Sequence, residues 1–425
     1  MFQQRDIITA VEIGTSKIHV LVGQMDNDSS VTVIGSGEVP TANAVVKGEI
    51  ADMDRALELL INAIEEADNS CNREINNSRI IFFNVTGAGI NSFQGVGNVF
   101  IQNEGLKIND EDVKEAVENA QTKPLPLDQS VINTFDSYFM IDGGRRVSNP
   151  IDHVAHKLEA YIHVIHGDTN RIENFRSLLR DAGFDHEIQP VFSGMASVFG
   201  ILTDEEKESG ILLLDIGAGT TEYVAVFNMG VLDSGVIPIG FEHLANDLSL
   251  GLDLHISVCR KLLSDGSLAA HITQRKGFVE IKSSSGGIRK IPLSSFERII
   301  DLRLQETFQI INRNIHEKGI FRSLGAGAVL TGGAALFPRT AEIVKEVFQF
   351  PVRIGRPYDA KGAVTGLEDP RYSTVWGTLK YGELFIHQLN SNRKRGVFGS
   401  MVDGVDGMAS WLWRGISDLK NSIKI

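Results

Sequence analysis

One pattern occurs twice in this chain: a strand-like apolar run that ends in an acid, an apolar residue and a glycine turn. Ile7–Ile13 leads into Gly14-Thr15, with Glu12 just before the break. Ile211–Ile216 leads into Gly217-Ala218-Gly219, with Asp215 in the matching place. Two further β-rich runs follow each break, Lys17–Gly23 and Val31–Gly37 in the first case, Tyr223–Asn228 and Val231–Ile237 in the second. Runs of this kind joined by short polar turns predict a three-strand meander. A meander met twice predicts two related halves. Helical spacing of Met53, Ala56, Leu57, Leu60, Ile61 and Ile64, with Asp52 as N-cap, adds a helix over about 52–67. The fold class is therefore α/β, and 425 residues are too many for one core but suit roughly two to four subdomains.

Two excursions interrupt the halves. Residues 85–164 carry a helix over 110–120, a Pro-rich turn at Lys123-Pro124-Leu125-Pro126, and strands near 131–140 and 158–165; helix 170–182 then resumes the first half. The second excursion, 241–312, carries two helical stretches, a Ser/Gly-rich loop at Ser283–Gly287 and a long helix from about Leu293 to His316. The expected organisation is a first-half core of 5–84 continued at 165–203 and 366–390, and a second-half core of 204–240 continued at 313–365. Residues 391–407, basic at Arg393-Lys394-Arg395 and then glycine-rich, read as a linker.

Three glycine turns carry the chemistry. Gly14-Thr15-Ser16-Lys17, Gly217-Ala218-Gly219-Thr220-Thr221 and Gly332-Gly333-Ala334 each follow a strand. Glycine lets a phosphate approach the backbone, and N–H groups and hydroxyls supply donors. The first two turns, facing each other, would clasp a triphosphate. Glu12 and Asp215 would hold Mg²⁺ through its waters, since Mg²⁺ dehydrates reluctantly. The third turn, with a helix from Pro338 after it, would let an adenosine lie on bare backbone. A single strand–glycine turn is usually only a tight hairpin; three in this order on duplicated meanders point to ATP. Neither a GxGxxG nor a GxxxxGK[ST] loop is present. No residue declares itself a catalytic base. Gln189, read in a turn before Pro190, is the one candidate to orient a water, so the chain is at most a weak ATPase.

Charge and composition exclude other classes. The formal charge of −13 argues against general nucleic-acid binding, which relies on Lys and Arg at phosphates. Two isolated cysteines, Cys71 and Cys259, predict neither a metal cluster nor a disulfide framework. No signal peptide and no membrane-spanning run is expected. Residues 408–425 instead read as an amphipathic helix. Met408, Trp411, Leu412, Ile416, Leu419 and Ile423 share one arc, with Trp413 at its rim and Arg414, Lys420 and Lys424 flanking it. That pattern suits a helix lying in a membrane surface. A terminal helix docked on the protein's own core is the plainer alternative.

The motif residues Val11–Lys17, Leu214–Thr221 and Val329–Ala334, with Tyr372-Ser373-Thr374, Gly377 and Tyr381-Gly382, resemble the phosphate, adenosine and connecting motifs of the actin-like ATPase superfamily. Asn149-Pro150-Ile151, Leu158-Glu159-Ala160 and His163-Val164 resemble the extra subdomain, 1C, of its FtsA family of bacterial cell-division proteins. The resemblance implies cores 1A and 2A, an inserted 1C at 85–164, a subdomain 2B at 241–312 and a membrane-targeting helix at 408–425. It implies ATP and Mg²⁺ as cofactors, self-association into polymers, contacts of 1C with later division proteins, and a peripheral place on the inner membrane at the septum. Ile299-Ile300, Arg303 and Glu306 resemble the family helix that receives the C-terminal peptide of the tubulin-like FtsZ, and Arg289, Lys290, Arg298 and Arg303 would suit its acids. The chain departs from the family in two places. Phe241 follows Gly240 where a second small residue is usual, and Ser257–Lys261 offers Lys261 to the nucleoside but no glutamate in register. A PilM-like assembly adaptor and a sugar kinase or phosphatase of the same fold are the alternatives.

Overall fold

The computed structural model describes residues 7–26, 30–71, 78, 80–103, 105–282, 287–362 and 364–394. The first half begins with β1 (Ile7–Ile13), β2 (Lys17–Met25) and β3 (Val31–Pro40). The short pair β4 (Val45–Val46) and β5 (Glu49–Ile50), helix α1 (Met53–Cys71) and β6 (Ile80–Val85) follow. Every residue of β6 is buried, as a strand covered on both faces requires. Gly35 and Gly37 on β3 leave room for α1: a Cβ on Gly35 would stand 2.9 Å from the Ala67 carbonyl oxygen.

Then comes the excursion: β7 (Asn91–Phe100), α2 (Asp110–Gln121), β8 (Gln129–Ile141), β9 (Arg145–Val147) and β10 (Lys157–Asp168). These strands make a four-stranded sheet ordered β7-β10-β8-β9, with α2 packed on one face. Asn109 caps α2 by accepting from the N–H groups of Glu111 and Asp112. The boundary expected at 164 falls inside β10, whose pairing with β8 runs on to Asp168. The first half resumes with α3 (Thr169–Asp181), β11 (Glu187–Phe192) and α4 (Ser193–Ile201). Gln189 does not lie in a turn. It is within β11, paired parallel to β6, and its Nε2 donates to Glu187 Oε1 at 2.7 Å. Pro190 misled the reading: a strand tolerates proline at a sheet edge, and β11 is one.

The second half repeats the first. Helix α5 (Asp204–Ser209) precedes β12 (Ile211–Ile216), β13 (Thr221–Phe227) and β14 (Gly230–Ile237). The second excursion holds α6 (Phe241–Leu252), α7 (Ile256–Ser264), α8 (Ser267–Thr273), β15 (Phe278–Lys282), β16 (Ile288–Pro292) and α9 (Leu293–Glu317). This is one helix more than expected, together with a hairpin that was not foreseen; residues 283–286 of the expected loop lie outside the described residues. The boundary expected at 312 falls within α9. The half closes with β17 (Gly327–Thr331), α10 (Thr340–Phe348) and β18 (Val352–Ile354), and α11 (Ser373–Lys394) ends the described chain. Helix α10 starts after Pro338 rather than at it, because Arg339 adopts φ 82°, a left-handed conformation that no helix continues through. Helix α11 runs to Lys394, past the expected linker start at 391, because the first helix breaker is Gly396. The rest of the linker and the membrane residues Met408 to Ile423 lie outside the described residues.

The two main sheets have the same topology. Their orders are β11-β6-β1-β2-β3 and, from the equivalent edge, β18-β17-β12-β13-β14. In both, an antiparallel meander sits beside two parallel strands. Helices α4 and α11 cross at glycine. A Cβ on Gly200 would stand 2.8 Å from the Ser373 carbonyl oxygen and 3.0 Å from Gly377 Cα, so no side chain fits in the crossing. The excursion sheet belongs by sequence to the first half but docks on β14 of the second. Ser92 Oγ donates to the Ser234 carbonyl at 2.8 Å, and His163 Nε2 lies 2.7 Å from Ser234 Oγ. Burial pushes His163 down to about 3, so it stays neutral there.

Candidate functional site

The glycine turns after β1 and β12 are closed by the same bond. Gly14 N–H donates to the Lys17 carbonyl at 2.9 Å, and Gly217 N–H to the Thr220 carbonyl at 2.9 Å. The turns approach each other across the cleft between the halves. A side chain on Gly219 would collide with Thr15 Oγ1 and with the backbone of Lys47. Among the described residues, no carbonyl accepts from the N–H groups of Thr15, Ser16, Ala218 or Gly219. Four backbone donors therefore remain unspent in two facing turns.

The second turn is braced from behind. The first N–H groups of α6, those of Phe241 and Glu242, donate to the carbonyls of Gly217 and Ala218 at 3.0 and 2.9 Å. Gly240 permits this approach, since a Cβ there would lie 2.5 Å from the Ala218 carbonyl. With its carbonyls held by the helix, the turn's amides are left to face the cleft. Phe241 packs edge-on against Phe337 at 5.1 Å between ring centroids. The hydroxyls are less available than the sequence suggests. Thr220 Oγ1 donates to Glu222 at 2.7 Å and Thr221 Oγ1 to the Ile239 carbonyl at 2.7 Å, whereas Thr15 Oγ1 accepts from Gly48 N–H at 3.3 Å and keeps its own proton to donate. Ser16 is exposed.

The acids converge at the base of the cleft. Asp215, almost fully buried, accepts from Ser197 Oγ at 2.6 Å on α4 and from Thr374 Oγ1 at 3.0 Å on α11. The third turn closes over it: a Cβ on Gly332 would stand 2.5 Å from Asp215 Oδ1, Ala334 is buried behind, and Gly333 is exposed. Glu12 is half-buried as a residue, but its Oε2 is shut off from solvent and bonds to none of the described residues. Burial pushes Glu12 up to about 7, offset in part by Lys17 and reinforced by Asp215. Lys17 leans away from the turn, with its Nζ on Glu38 at 2.9 Å and 3.9 Å above the Tyr372 ring.

One acid was missed. Glu222 on β13 is buried and accepts from Thr220 and, across the cleft, from Thr86 at the end of β6. Burial, and then the charge of Asp215, pushes it up to about 8. An acid in an otherwise apolar strand was the available signal.

Among the described residues, no three acidic, His or Cys side chains are set to hold a metal directly. The donor set of Glu12 and Asp215, one with an unbonded oxygen, suits a hydrated cation whose other ligands are water and phosphate. Lys261 is not among the residues brought to the three turns: it is exposed on α7.

The expected partner residues divide. Arg303 on α9 is engaged within the protein, donating to Asp247 from Nε at 2.6 Å and Nη2 at 2.9 Å and to Glu306 at 2.6 Å. With Ile299, Leu302 and Gln309 it lines a surface groove of about 570 Å³. Arg289 and Lys290 lie on β16, where Arg289 donates to the Asp253 carbonyl at 2.9 Å and Lys290 pairs with Glu280 at 3.0 Å. Arg298 is exposed on α9.

Comparison with known proteins places this geometry. Residues 87–166 match the family described as the SHS2 domain inserted in FTSA, and residues 212–377 match Cell division protein FtsA. The chain is 30% identical over 385 residues to Cell division protein FtsA of Pseudomonas aeruginosa, covering 89% of this chain and 90% of that protein. It is 27% identical over 418 residues to its Escherichia coli namesake, covering 96% and 98%. Among solved structures, the PilM-PilN type IV pilus biogenesis complex matches with a TM-score of 0.60 at 16% identity, covering 89% of this chain and 98% of the other. The ADP-bound MreB5 of Spiroplasma citri matches at 0.51 and 12% identity, covering 92% and 99%. At those identities the structures speak for the actin-like fold alone. The inserted domain, the matching family model and the sequence relatives place this chain in the FtsA family of cell-division proteins.

Proposed function

We propose that this protein is an ATP-binding, actin-like membrane adaptor of cell division. ATP would lie between the two halves. The observation that carries this reading is the pair of facing turns whose Thr15, Ser16, Ala218 and Gly219 amides have no partner among the described residues. Those amides would cradle the phosphates, Gly240 would keep the second turn aimed, and Gly332-Gly333-Ala334 would underlie the adenosine. Mg²⁺, when bound, would offset the crowding of phosphate against Glu12 and Asp215. The role proposed for the nucleotide is to hold the halves in a polymer-competent closed state, with turnover at most slow.

The remaining parts of the proposal rest on family membership and on sequence. The groove between α6 and α9, with Arg298 and Arg303 beside it and Arg289 and Lys290 on the neighbouring hairpin, would take the acidic C-terminal peptide of FtsZ. The excursion sheet would serve self-association and later division proteins. Residues 408–425 would tether the polymer to the cytoplasmic face of the inner membrane, and polymerisation would supply the avidity that one short helix lacks. Among the described residues, no helix is long and apolar enough to cross a membrane. Co-sedimentation with anionic liposomes, with and without ATP and FtsZ, tests the reading. The full chain should pellet and bring FtsZ with it, and a chain ending at Gly407 should stay in solution. Equal pelleting of both chains, or of neither, would overturn the tether.

A further inference from the structure

A cavity of about 390 Å³ lies where the excursion sheet meets the second half, lined by no residue of the glycine turns. One wall is built by Tyr138, Arg146 and Asn149 and the other by Glu208 and the Asn228-Met229 turn. Arg146 is the notable group. Its guanidinium lies 3.8 Å over the Tyr138 ring and 5.6 Å from the Phe227 ring, and Tyr138 is itself stacked on Tyr161 at 4.3 Å. Stacking occupies the flat faces of a guanidinium and leaves its edge, where the N–H groups are, free to bind. Among the described residues, nothing accepts a hydrogen bond from that edge and no acid pairs with it. Arg146 is exposed at the mouth of the cavity, and partial burial holds it below its ordinary value, offset in part by Tyr138.

The rest of the cavity is equally prepared. Asn149 Oδ1 accepts from Ile151 N–H at 3.2 Å, which leaves its amide N–H₂ for the cavity. On the opposite wall, the N–H groups of Asn228 and Met229 donate to the carbonyls of Glu208 and Lys207 at 3.2 and 3.1 Å. Asn228 and Met229, at φ 50° and 63°, are thereby fixed as a rigid lip.

We propose that this cavity is a carboxylate-binding site in which the edge of Arg146 takes both oxygens of one carboxylate and the Asn149 amide supports it. Glu208, facing it, selects a single negative charge over a phosphate dianion. The carboxylate comes either from a free small acid or from an acidic side chain of an incoming peptide. Because the two walls belong to different halves, a bound carboxylate fastens the excursion sheet to the second half.

Hydrogen–deuterium exchange on the full chain tests this with sodium acetate and with N-acetyl-Gly-Glu-Gly-amide, each against sodium chloride at matched ionic strength. Both probes should slow exchange at Arg145–Val147 and Asn228-Met229. Arg146→Gln should weaken the effect about tenfold, and Arg146→Lys, which keeps the charge and loses the fork, should fall between. Protection by acetate alone would assign the site to free acids, and protection by the peptide alone to a protein partner. No protection by either probe, equal protection in Arg146→Gln, or stronger protection by inorganic phosphate than by acetate would overturn the proposal. If Arg146→Gln does not fold, the Arg146→Lys titration decides: protection undiminished in it would exclude the fork.

Discussion

The turns after β1 and β12 share a closure, a position in equivalent sheets and a preceding acid, yet they are finished differently. The second is braced: α6 holds its carbonyls, Gly240 packs on it, and Asp215 is bonded to two helices. The first is held by one loop residue: Thr41 donates from Oγ1 to the Gly14 carbonyl at 2.9 Å and from its N–H to the Ser16 carbonyl at 3.1 Å, while Glu12 keeps an unbonded oxygen and Lys17 leans on Glu38 and Tyr372. Duplication supplied two similar hairpins. The difference lies in what holds them, a helix N-terminus and two bonded helices for the second, a single loop threonine for the first.

Substitutions can break that comparison. The largest effect should come from Gly219→Val. Its side chain would be driven into Thr15 and Lys47, abolishing ATP binding in a fluorescence titration and costing about 1–3 kcal/mol in stability. Asp215→Ala should follow. It leaves Ser197 and Thr374 without their buried acceptor and should lower stability by about 1–3 kcal/mol in urea denaturation, with Mg²⁺-dependent binding lost.

Acid titration sharpens the contrast. Glu12 and Glu222 are raised in the folded protein, to about 7 and about 8, so folding binds protons that the unfolded chain releases above its ordinary carboxylate value. Ligand-free stability should therefore be highest at acid pH as far as these groups are concerned. It should fall as pH climbs from about 4.5 toward 7 for Glu12 and toward 8 for Glu222. Glu12→Gln should flatten the lower part of that decline in a series of melting curves. A decline unchanged by the substitution would show that Glu12 is ionised in the folded protein. The smallest effect should be that of Gly14→Ala, within about 1 kcal/mol and with ATP binding retained. Gly217→Ala, at the equivalent place and with the same room, should match it, and a larger loss from either one would expose a difference between the turns.

The same contrast shows what the sequence could convey. Strand, acid and glycine are local signals, so both meanders and all three turns were legible from residue order. Glu222 was not, because its meaning depends on Thr86 arriving from the other half. The hydroxyls of Thr220 and Thr221 read as phosphate donors because sequence does not show that Glu222 and the Ile239 carbonyl already hold them. Hairpin β15–β16 was hidden because its strands are short and one face of each is exposed. The docking of the excursion sheet on β14 follows from pairings such as His163 with Ser234, which no local pattern encodes.

The glycine crossing of α4 and α11 has a mechanical consequence. At Gly200 and Gly377 the two backbones come closer than side chains would allow, and beside that point Phe199 packs on Tyr381 and Ser197 Oγ lies 3.2 Å from Thr374 Oγ1. The same two hydroxyls, one from each helix, hold Asp215. A shift of α4 against α11 would therefore pull on both bonds to the acid at the base of the cleft, so the crossing and the site form one mechanical unit.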